Sequence, residues 1–250
     1  MRPMRAFCLG VAMLVGCATA GKDGNGFNNG GPDAPPGTQR DAPFNQQTDS
    51  SLPTDSSQQP VDGTISPQQI TLSQNADTTI AAAMSVTCGN TTAGSTSANS
   101  WYRAFSPSVA GVTGVFHVER VDFAVQEASG GEQVQVNVGT YGGTIGGATL
   151  STTQMTKLAN AVVQVPATTA GQGLSATVAA DIPAGSNMYV EIFSPDHTGT
   201  TTYFYVGTSA GSETAPGYIM AADCGVNAPK RLSDAVANAG KLILTVTGTY

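Results

Sequence analysis

From about residue 67 onward, apolar side chains recur at every second position in short runs set off by glycine and proline; before that point they scarcely recur at all. QVQVNV puts Val134, Val136 and Val138 on one face, and KLILTVTGTY does the same with Leu242, Leu244 and Val246. NMYVEIF sets Met188, Val190 and Ile192 against Tyr189, Glu191 and Phe193, while TTYFYVG and GVFHVERVDFAV are rich in aromatic and β-branched residues. Successive strand side chains point to opposite faces, so each run reads as a half-buried strand. The clusters TYGGTIGGA from Thr140 and PAGSN from Pro183 supply turns. Many short strands with turn signals between them predict an all-β domain over 67–250, a single antiparallel β-sandwich. Helix is confined to a turn or two in STTQMTKLANA and KRLSDAVANAG. A domain of this length can bury a core without help.

The start of the chain follows a different pattern. Arg2 and Arg5 precede an apolar or small run from Ala6 to Gly16, the layout of a secretory signal. Crossing a bilayer as a helix takes about 20 residues, more than this run offers. At Leu14, Val15, Gly16 and Cys17 the sequence resembles the bacterial lipoprotein signal, in which a small residue precedes the lipidated cysteine. The resemblance implies removal of 1–16, a diacylglycerol on the Cys17 thiol and acylation of its new amino group. Two or more acyl chains hold a protein stably on a membrane where one holds only marginally. In that family Ala18 after the cysteine favours the outer membrane, with the periplasmic or extracellular face left open. An ordinary signal cleaved between Ala18 and Ala20 is the alternative.

Between the anchor and the strands, Gly, Pro, Asn, Gln, Ser, Thr and Asp dominate, with Phe27, Phe44, Leu52, Val61 and Ile65 as the large apolar residues. Such a segment cannot bury enough surface to offset its ordering entropy, so 17–66 is expected to be a disordered linker. As a flexible coil it would reach roughly 35 to 40 Å, enough to hold the domain clear of lipid headgroups. Asp23 opens DGNG, the start of a calcium loop, but Phe27, Asn28 and Ala34 fall where a ligand, the glycine and the final glutamate belong.

The chain has four cysteines. With Cys8 lost in the signal and Cys17 lipidated, Cys88 and Cys224 remain, and an even pair in an exported chain reads as a disulfide. A metal site is the rival, weakened by the lack of CxxC spacing and by a histidine supply limited to His117 and His197. Only 11% of residues are charged and the net charge is −7, against about 25% charged in typical domains. Nucleic acid is excluded as a partner, because phosphate binding needs clustered Lys and Arg.

Candidate chemistry is sparse. GTSAG, with Ser209 at its centre, matches the nucleophile elbow in form. The elbow must open a helix, yet Pro216 and Gly217 follow at once, and no histidine lies after Ser209. Glu119, Asp122, Glu191, Asp196 and Asp223 are candidates for an acid pair, though none stands in a recognisable motif. Asp196 and His197, in SPDHTG, read as a side-chain-stabilised turn. A structural calcium ion stays open, since sequence cannot assemble the six or more oxygens it takes; no other cofactor is indicated. NSWYRAF groups Trp101, Tyr102 and Arg103, residue types enriched in binding hot spots, and these are the candidate ligand contacts. Alternation puts Trp101 with Arg103 and Phe105, and Tyr102 with Ala104, so Trp101 and Tyr102 are not both expected in the core.

Taken together, NSWYRAF, VDFAV, QVNVGTY, EIFSPD and TAPGYIMAADCG resemble an uncharacterised secreted β-sandwich module of the kind appended to bacterial surface proteins and extracellular hydrolases. The resemblance spans about residues 75–249. It implies a jelly-roll-like fold, a Cys88–Cys224 pair and an adhesive or accessory role, with no catalytic residue to carry over. The reading that results is a non-catalytic, lipid-anchored surface protein that binds a glycan or an envelope protein. A hydrolase with an unrecognised site and a purely structural envelope component are the alternatives.

Overall fold

The computed structural model describes residues 66–90 and 93–250. The signal, Cys17 and the 17–66 linker, apart from residue 66, lie outside the described residues.

In chain order the strands are β1 (Gln69–Ser73), β2 (Gly89–Asn90), β3 (Ser95–Thr96), β4 (Asn99–Phe105) and β5 (Phe116–Ala128). Then come β6 (Glu132–Tyr141), β7 (Met155–Val165), β8 (Gln172–Ile182), β9 (Asn187–Ser194) and β10 (Phe204–Val206). β11 (Thr208–Ser209), β12 (Tyr218–Ala221), β13 (Val226–Arg231), β14 (Lys241–Leu242) and β15 (Leu244–Thr249) complete the set. One sheet runs β13-β12-β4-β9-β6-β7; the other runs β1-β15-β5, with β8 on the far edge of β5. Val125 of β5 pairs with Gln172 of β8 on one side and Val206 of β10 on the other, so β10 continues the edge that β15 occupies further along. All these pairings are antiparallel. The chain steps between sheets from β4 to β5, β5 to β6, β7 to β8 and β8 to β9, giving an all-β, jelly-roll-like sandwich.

The predicted alternation places the core. Val134, Val136 and Val138 of β6 and Met188, Val190 and Ile192 of β9 are all fully buried between the sheets. Facing them, Val121, Phe123 and Val125 of β5 and Leu244 and Val246 of β15 supply the other half. Trp101 packs edge-on against Phe204, with ring centroids 5.5 Å apart, and its Nε1 donates to the Val86 carbonyl at 2.8 Å. Cys88 and Cys224 are bonded, with Cα atoms 5.9 Å apart and 136 residues between them in sequence. The bond joins the start of β2 to the turn after β12.

Two expectations are corrected. STTQMTKLANA is not helical beyond the single 3-10 turn Thr152–Gln154; from Met155 it is β7, because pairing along the whole of β6 outweighs its local propensity. KRLSDAVANAG keeps one helical turn, α1 (Leu232–Ala235). Trp101 and Tyr102 are both buried, since β4 is covered on both faces. Its outer face carries a second apolar cluster of Tyr102, Ala104, Tyr189 and Tyr218, roofed by Leu150 and Ile145 from the glycine-rich segment 142–154.

Candidate functional site

The three residues named from NSWYRAF do not form a surface. Trp101 and Arg103 have no exposed area, and Tyr102 lies under the outer cluster, so all three hold the fold together rather than meet a ligand. Arg103 is a hub. Its Nε donates to the Leu242 carbonyl at 3.0 Å, its Nη1 to the Ala215 carbonyl and Gln74 Oε1, and its Nη2 to Glu213 Oε2 at 2.9 Å and Asn75 Oδ1. The segment after β1, the 213–215 loop and the β14–β15 junction are thereby pinned to one side chain. Burial lowers the guanidinium pKa, and the Glu213 carboxylate opposes that shift.

Beside this hub opens a cleft of about 450 Å3, within the range of ligand pockets. Its walls are aliphatic for the most part, built from Leu72, Ala110, Ile145 and Ala215 around the edge of Phe105. Gln74, Ser106 and Thr214 supply neutral polar groups, and no charged residue lines it. Val109 stands at its rim with 87% of its surface exposed, the most exposed of the large apolar side chains described. It rides on the 3-10 turn Pro107–Ala110, which Gly111 ends with a left-handed φ of 91°.

Four of the five candidate acids are occupied by other partners. Glu119 accepts from Gln69 and Thr249, and Asp122 from Arg120 at 2.9 Å and Ser175 at 2.5 Å. Asp196 accepts from the Thr198 amide and hydroxyl, closing the predicted turn, and those bonds hold its carboxyl below the ordinary range. Asp223 lies in the short turn that ends at the disulfide. Glu191 lies on the outer face of β9, where it accepts from Tyr102 Oη at 2.8 Å and Asn137 Nδ2 at 2.9 Å across three neighbouring strands. Burial first, and the Glu191 charge second, push Tyr102 upward and Tyr189 up to about 12. Ser209 is buried in β11, meeting the Asn75 amide at 3.4 Å rather than an imidazole. His117 is exposed on β5 and meets Asp181 at 2.7 Å.

Sequence reading passed over one constellation. Glu132 shares the parity of Val134, Val136 and Val138, and it points into the sandwich with no exposed side-chain area. Its Oε2 lies 3.1 Å from His197 Nε2, at the end of the sheet where β9 gives way to the 195–203 loop. Burial raises the Glu132 carboxyl to about 7 and lowers the His197 imidazole. The signal was available: a glutamate in register with three core valines is a buried polar residue that needs a partner. Among the described residues, no three or more His, Cys, Asp or Glu side chains converge as metal ligands. No helix among them is long and apolar enough to cross a membrane.

Comparison of the chain with protein families, with curated proteins and with solved structures finds no match.

Proposed function

We propose that this chain is a lipid-anchored protein of the bacterial outer membrane whose β-sandwich binds a partner from the cell envelope without turning it over. The cleft beside Arg103 carries the binding half of this reading. It is open, lined by aliphatic groups and neutral polar atoms, and flanked by an exposed Val109 that leaves water if a partner covers it. A sugar site would draw on exposed aromatic faces, whereas Phe105, the cleft's one aromatic, is only 3% exposed. A protein segment presenting an aliphatic side chain fits better than a glycan. Hydrolysis would ask for acids or a nucleophile at the cleft, and its lining offers neither acid nor histidine.

The anchoring half rests on the sequence around Cys17. Cells fed labelled palmitate should mark the wild-type chain and leave Cys17→Ser unmarked and released from membranes. Val109→Asp should lose capture of an envelope protein by the immobilised domain while melting like wild type, because Val109 contributes little to the core. An unlabelled wild-type chain defeats the anchor. Capture that survives Val109→Asp, or retention of a glycan in place of a protein, defeats the assigned cleft.

A further inference from the structure

We infer that the sandwich holds one divalent transition-metal ion of the zinc class where β6 begins, bound by the Glu132 carboxylate and the His197 imidazole. Among the described residues, seven buried side-chain polar atoms have no hydrogen-bond partner, and five of them are Glu132 Oε1, Glu132 Oε2, His197 Nε2, Thr96 Oγ1 and Ser194 Oγ. These five share one end of the molecule. The His197 amide donates to the Thr96 carbonyl at 2.9 Å, which fixes the 195–203 loop against β3. Ile192 pairs with Val136, so two residues along, Ser194 comes level with Val134, the inward position next to Glu132.

Leaving that many polar atoms dry and unpaired is costly, each one forfeiting its hydration. Among the described residues the Glu132 carboxylate's ion-pair partner is His197, whose imidazole is shifted by burial away from the charged form, so no fixed cation answers its charge. The spacing of the two principal atoms identifies what answers it. Glu132 Oε2 and His197 Nε2 lie 3.1 Å apart yet make no hydrogen bond. Two ligands about 2.0 to 2.2 Å from one ion, at tetrahedral or octahedral angles, lie roughly 2.8 to 3.5 Å from each other. An imidazole nitrogen beside a carboxylate selects zinc-like ions over calcium or magnesium, which take oxygen donors. Asp196 is committed to the Thr198 turn, so water completes the shell. His197 keeps 16% of its side chain exposed, and that opening is the way in. A bound ion would staple the 195–203 loop to the first residue of β6.

The test uses the full chain in oxidised form with Cys8→Ser and Cys17→Ser, which removes competing thiols, after stripping with a chelator. Zinc titrated by calorimetry should bind at one equivalent and raise Tm, and magnesium should do neither. Cobalt should give a visible absorption spectrum with the same stoichiometry. Glu132→Gln and His197→Gln should each weaken zinc by about tenfold or more, since loss of even a supporting contact costs a metal site that much. His117→Gln should leave binding unchanged. Should either ligand variant not fold, wild-type NMR decides, with zinc shifting the ring signals of His197 and not those of His117. Absence of one-equivalent zinc binding, binding undiminished in both ligand variants, or binding lost in His117→Gln overturns the assignment.

Discussion

At the scale of single residues, Arg103 shows how a polar side chain becomes structural. It lies on the inward face of β4 between Trp101 and Phe105, and every nitrogen donates to an oxygen from a different part of the chain. Breaking a buried, paired charge leaves its partners dry, at a cost of about 3 to 5 kcal/mol. Arg103→Met, similar in length and able to fill the same space, is therefore expected to lower unfolding free energy by that amount in a urea melt. Arg103→Lys should recover little, because an ammonium cannot present a planar fork to Glu213, Gln74 and two carbonyls. A loss under about 1 kcal/mol in Arg103→Met would mean that packing, not the hydrogen-bond network, holds this region. The sequence already placed Trp101 and Arg103 on one face. It did not show that Tyr102, on the other, is also covered, because the roof comes from Ile145 and Leu150, more than forty residues away in a glycine-rich segment without periodicity.

At the scale of elements, β15 and the disulfide close the sandwich in different ways. β15 lies between β1 and β5 and buries Leu244 and Val246 completely, so deleting 241–250 removes a central strand and exposes the edges of two others. Such a variant should show no cooperative melt by circular dichroism. The Cys88–Cys224 bond spans 136 residues of sequence, for which chain entropy gives at most about 5 kcal/mol. The Cys88→Ser, Cys224→Ser double variant should lose about 2 to 5 kcal/mol by denaturant melt yet keep its strands, since Asn99 still bonds the Cys88 amide and carbonyl. Strands such as β6, β9 and β15 were readable because their inward positions are buried at every second residue, most of them apolar. The strand in β7 was missed, its segment being read as a helical turn or two, because its edge position leaves Leu158 and Val162 exposed, which blurs the period of two. Glu132 was overlooked for the opposite reason: its parity was visible, but the loop histidine that meets it is 65 residues on, and only the crossover from β9 brings them together.

At the scale of the whole molecule, buried and half-buried tyrosines set an alkaline limit to stability. Tyr102, Tyr189, Tyr205 and Tyr218 all have raised pKa values, with burial as the first cause of each. A group whose folded pKa is raised binds its proton more tightly in the native state, so its stabilising contribution is complete below the unfolded value and lost as pH rises through the folded one. For tyrosine that window opens near pH 10, and for Tyr189 it closes at about 12. A shift of this size amounts to at most about 3 kcal/mol, and Tyr102 adds to it because its hydroxyl must keep its proton to donate to Glu191. Stability from these groups should therefore be flat between about pH 7 and 9 and fall steeply above about 10. Tyrosinate absorbance should rise together with the loss of strand signal, as one cooperative event. Ionisation of Tyr102 and Tyr189 in a chain that keeps its strand signal would show that the outer cluster opens to water without unfolding, and that the roof over β4 is a detachable element rather than part of the sandwich.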